Sequence, residues 1–182
     1  MEYPRDRVPA RRLFGRAEGY SGEVLLATYL NDHLAGATAG SEIAQRTAGS
    51  NRGSEYGPPL AELAREIKED RQKLIEIMKG LDVGRDHVKV GAAWAGEKLG
   101  RLKPNGRLLS YSPLSRLVEL EILSLGIQGK LGMWLALDAT VASDGRLAGV
   151  DLEELIRRAR SQRRRAETLR LKAAAEALGP KA

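Results

Sequence analysis

The chain has 182 residues, a net charge of +6 and no cysteine. Its length supports one well-buried core rather than two, and the lack of cysteine excludes disulfides, thiolate metal sites, iron–sulfur clusters and thiol nucleophiles, making the cytoplasm the expected compartment. Hydrophobic residues are 42% of the chain but aromatics only 4%, so Leu and Ala must build the core, which favours close-packed helices over sheets.

Residues 1–20 carry five arginines with Pro4, Pro9, Gly15 and Gly19 and no sustained periodicity, which predicts a mobile basic tail without a signal-peptide core. Ser21 is a good N-cap, and the first helix is expected from there to about Ala48, with Leu26, Leu30, His33, Ala37, Gly40 and Ala44 on its inward stripe. The polar stretch 49–57 is a loop, and Pro58-Pro59 opens a second helix over about 59–79. Leu60, Leu63, Ile67, Leu74 and Met78 recur there at helical spacing, and Gly80 is the expected stop.

A shorter helix is predicted from Asp86 to about Leu99, followed by a Lys103–Gly106 turn that could close a brief hairpin; both would sit in a long crossover. Ser112-Pro113, a cap followed by proline at the first helical position, starts a third long helix reaching about Leu137. Its apolar window, Leu117 to Leu137, contains Glu119, Glu121, Gln128 and Lys130, so no membrane segment is predicted. Asp151 and Glu154 form a capping-box pattern for the last helix, which Gly179-Pro180 ends. The expected architecture is therefore all-α: a domain over 21–178 of four long helices, with a short extra helix in the crossover between the second and third, and a tail at 179–182.

Polar residues on inward stripes are the most informative feature, because each would be costly to bury unpaired. They are His33, Asp70, Glu121, Gln128 and Gln162. Two readings are open: a hydrogen-bond network that fixes helix register, and a metal site ligated by His33, Asp70 and Glu121 from facing helices. Glycines at 36, 40, 126, 129 and 132 interrupt helices at up to about 1 kcal/mol each relative to Ala. Close helix approach is the expected gain, and room for a ligand is the alternative. The six arginines between Arg157 and Arg165 lack interleaved aromatics, so pairing with Glu62, Glu66 and Glu69 is expected over nucleic-acid binding. Trp94 and Trp134 read as core anchors, and no phosphate loop, nucleophile elbow or dinucleotide fingerprint is present.

The phrases YLNDHLAGATAGSEIA (29–44), YGPPLAELAREIKEDRQKL (56–74) and SPLSRLVELEILSLGIQGK (112–130) resemble a family of uncharacterised bacterial proteins related to the ferritin-like superfamily. The resemblance covers about residues 21–178 and implies a ferritin-like bundle. The superfamily's diiron chemistry needs a Glu-x-x-His pair on each of two helices. Here the only histidines are His33 and His87, preceded three residues earlier by Leu30 and Gly84, so that motif is absent. The expected function is accordingly non-catalytic: binding of a ligand, a partner protein or a second copy, with no cofactor expected. The alternatives are an interior His/carboxylate metal site and a basic nucleic-acid-associated protein.

Overall fold

A computed structural model describes residues 21–85, 111–142 and 144–180. Among these residues the fold is all-helical, with four long helices: α1 (Gly22–Ser50), α2 (Gly57–Gly80), α3 (Pro113–Asp138) and α4 (Leu152–Leu178). A 3-10 turn, Gly145–Leu147, precedes α4. The predicted basic tail, the helix from Asp86, the hairpin at 103–106 and Trp94 lie outside the described residues.

Local chemistry accounts for the helix starts. Ser21, Ser112 and Asp151 each accept a backbone N–H of the first turn, from Val24, Ser115 and Glu154 at 3.4, 3.1 and 2.9 Å, satisfying donors that a helix leaves open. Two stops differ from expectation. Gly49 does not end α1, which runs to Ser50 before Asn51 turns the chain. Gly80 stays helical, and the reversal falls on Asp82, at φ 58°, with the Val83 N–H donating to the Met78 carbonyl at 2.9 Å. A short polar side chain tolerates that left-handed conformation better than most.

Cross-helix pairs fix the directions. Arg46 meets Glu119 and Arg116 meets Asn51, so α1 and α3 are antiparallel. Arg165 faces Glu62 and Glu66 while Arg158 faces Glu69 and Asp70, so α2 and α4 are antiparallel too. These are the Arg–Glu pairs expected of the basic run. With α1–α2 and α3–α4 as hairpins, α1 and α4 point one way and α2 and α3 the other.

The core is in two parts. One gathers Leu30, Leu34, Leu74, Met78, Trp134, Leu137 and Leu155 at one end; the other gathers Ile43, Tyr56, Leu60, Leu63, Leu120, Leu123 and Ala166 at the opposite end. Of the described helices only α3 is long and apolar enough to cross a membrane, by length and composition. Leu117, Leu120, Leu123, Ile127, Leu131 and Trp134 are buried in the bundle, and 39% of the helix's most apolar window is buried in all, with Leu125 and Leu135 exposed.

A polar lattice closes the second end. Tyr56 donates to Glu176 at 2.8 Å, Arg116 reaches Glu176 and the Asn51 side-chain oxygen, and Tyr111 donates to Glu119 at 2.9 Å. The loop between α1 and α2 packs tightly here: a Cβ on Gly57 would lie 2.8 Å from the Asn51 carbonyl oxygen and 2.9 Å from that of Arg52. Gly57→Ala is therefore expected to destabilise by about 1–3 kcal/mol in thermal melts, since rigid backbone must move to accept the methyl group. Burial, then the bond to Glu176, pushes the Tyr56 hydroxyl up to about 12. Because the folded value lies above the unfolded one, its contribution is intact below about pH 10 and is lost as pH rises through 12. Urea midpoints should fall over that window, and less steeply in Tyr56→Phe.

Candidate functional site

Between the two parts of the core lies a layer of buried charge. Asp70 of α2 is almost wholly buried, and its carboxylate receives Arg158 on Oδ1 and Lys130 on Oδ2. Gln162 Nε2 also donates to Oδ2 at 2.9 Å, and its own carbonyl oxygen accepts from Lys130. Three helices thus contribute one interlocked set. Burial pushes the Lys130 ammonium below the ordinary lysine range, with Asp70 opposing the shift.

The candidate residues read from the sequence separate in this geometry. Asp70 and Gln162 are inward and bonded to each other. His33 is half-buried on α1, edge-on to Tyr29 with ring centroids 4.5 Å apart, and burial lowers its pKa against the influence of Asp32. Glu121, expected inward, is on the surface with its side chain 48% exposed, 3.6 Å from Arg170. The inward carboxylate of α3 is instead Glu119, two positions earlier, which bonds Arg46 and Tyr111. Gln128 is exposed as well and accepts from Arg163 at 2.8 Å. The triad His33, Asp70 and Glu121 therefore does not converge, and among the described residues no three His, Asp or Glu side chains are grouped to hold a metal ion.

The glycines also resolve differently from the close-packing expectation. A Cβ at Gly36, Gly40, Gly126, Gly129 or Gly132 would meet nothing within 4 Å. Four of them, Gly36 and Gly40 of α1 with Gly126 and Gly129 of α3, line a cleft of about 620 Å³ between those helices. Ile43, Ile67, Ile122, Leu123 and Leu125 add apolar wall, and His33, Asp70, Arg71 and Lys130 bring polar groups to it. The missing side chains hold space open. Leu125 on the rim remains 74% exposed, an uncommon cost for a large aliphatic side chain.

Sequence reasoning did not single out Lys130, Arg158 or Arg71 as site residues. Lys130 does carry a signal, a lysine in the most apolar helix, but that signal speaks equally against a membrane span and so does not by itself mark a site. No family model, curated protein or solved structure matches this chain.

Removing one partner of a buried ion pair leaves the others uncompensated. Asp70→Ala is expected to lower stability by about 3–5 kcal/mol in urea denaturation. Lys73→Ala, which removes only the exposed contact with Glu76, should change it by less than about 1 kcal/mol.

Proposed function

We propose that this protein is a non-catalytic bundle of ferritin-like connectivity that acts in the cytoplasm by holding an apolar ligand in the α1–α3 cleft. The cleft itself carries the reading: its volume of about 620 Å³ falls within the range typical of small-molecule sites, and its wall is mainly apolar with a few polar groups. Glycines at open positions in two facing helices support it further, because each weakens its helix while easing no close contact. Asp70 and Lys130 are bonded to one another and to Gln162, an arrangement that suits a fixed structural layer better than proton transfer.

The ferritin-like part of the reading rests on helix direction. The consecutive helices α2 and α3 run the same way, whereas 51–56 and 139–151 join antiparallel neighbours. One long crossover between two hairpins is the arrangement of ferritin-like bundles. A bacterial relationship to that superfamily is what the sequence resemblance implies.

Filling the cleft tests the function. Purified protein is expected to bind the neutral dye Nile red at a single saturable site. Gly40→Leu combined with Gly126→Leu should abolish binding while leaving helical content intact and the melting temperature unchanged or raised, since Leu is the better helix former and meets open space. Equal dye binding by wild type and the double variant, or none by wild type, would overturn the reading.

A further inference from the structure

The cleft contains a cation that no carboxylate of the described protein neutralises. Among the described residues the fold half-buries five arginines. Arg116 pairs with Glu176, Arg158 with Asp70, Arg165 with Glu66 and Arg170 with Glu167. Arg71, the fifth, lines the cleft and has no acidic partner among the described residues, its side chain bonding Thr38. Its Nε donates to the Thr38 hydroxyl at 3.0 Å, and Thr38 in turn donates to the Leu34 carbonyl at 2.9 Å. This anchors the guanidinium to α1 through one nitrogen and leaves its two Nη groups, the edge that grips a carboxylate in a fork, without a partner among the described residues.

The other charges at the cleft do not supply that partner. Asp70 is engaged by Lys130, Arg158 and Gln162. Asp32 lies six residues before Thr38 on α1, about 9 Å along the helix axis, and is exposed to solvent. Lys130 and Arg158 share Asp70, Lys130 also bonding Gln162 and Arg158 lying 3.7 Å from Glu69, so Arg71 is the cleft cation with no carboxylate beside it among the described residues, and its planar fork matches the two oxygens of a carboxylate.

Building on the cleft-binding reading above, we propose that the ligand is a single-chain amphiphile with a carboxylate head, a long-chain fatty acid. Its carboxylate takes the Nη edge of Arg71, and its hydrocarbon lies along Ile43, Ile122, Leu125 and the glycine positions of α1 and α3. The charged head accounts for an arginine with no carboxylate among the described residues, and the chain accounts for apolar wall that the described helices leave uncovered.

Isothermal titration of the delipidated full-length protein at pH 8 with dodecanoate and with dodecanol, which share a chain and differ in the head, tests this directly. Dodecanoate should bind at least about tenfold more tightly, the scale of a charge-assisted hydrogen-bonded pair. Arg71→Gln should lose that preference while its affinity for dodecanol is unchanged, and Arg71→Lys should keep part of it. Equal affinity of the wild type for both compounds would overturn the carboxylate assignment and leave the apolar cleft standing. Binding of neither compound would overturn both, whether the cleft proves to be closed by a second copy, seen as a dimer in sedimentation, or by another segment of this chain. The wild-type comparison needs no variant, so a poorly folding Arg71→Gln would not rescue the proposal.

Discussion

The arrangement of the bundle depends on a single buried carboxylate. Asp70 is tied at once to Lys130 of α3 and to Arg158 and Gln162 of α4. Desolvating these groups is expensive, and only their mutual geometry compensates for it. A register slip of one residue in any of the three helices would rotate a charged side chain by about 100° and leave the others buried alone. The set therefore specifies alignment more than it adds stability. It also divides the hydrophobic core, with the Trp134 cluster on one side and the Tyr56 cluster on the other.

At the level of the charge layer α1 contributes only small side chains between Ala35 and Gly40, apart from Thr38, which anchors Arg71. Long aliphatic residues there would press against the charged layer. Small ones leave the α1–α3 side unfilled, and α1 joins the bundle mainly through its ends, at Leu30 and Leu34 and again at Ile43, Ala44 and Thr47. The cleft and the charge layer are thus two sides of one solution: a core crossed by ions cannot be packed by aliphatic side chains at the same height.

Much of the architecture is legible in the sequence because it is written in local chemistry. Ser21, Ser112-Pro113 and Asp151 announce three helix starts, and the Arg157–Arg165 run with Glu62, Glu66 and Glu69 announces the α2–α4 seam. The site was less legible, for physical reasons. In α3 leucines lie outward, at Leu125 and Leu135, as well as inward, at Leu120 and Leu123, so periodicity does not tell which carboxylate faces the core; Glu119 is buried and Glu121 exposed. Glycine reads the same whether a neighbour fills its space or nothing does; only the positions of the facing helix distinguish Gly40 at an open cleft from Gly57 against the backbone. That Arg71 bonds Thr38 and no carboxylate among the described residues is likewise invisible in a chain rich in Glu, because pairing is decided by helix packing.

The directions of the four helices have an electrostatic consequence. Each helix carries an axial dipole equivalent to about half a charge at either end, and here every neighbouring pair, α1–α2, α1–α3, α2–α4 and α3–α4, is antiparallel. Positive and negative ends alternate around both ends of the bundle, so the axial fields largely cancel over its length. The backbone then adds little net field within the α1–α3 cleft, and the electrostatics there are left to the side chains of its wall, Asp32, Asp70, Arg71 and Lys130.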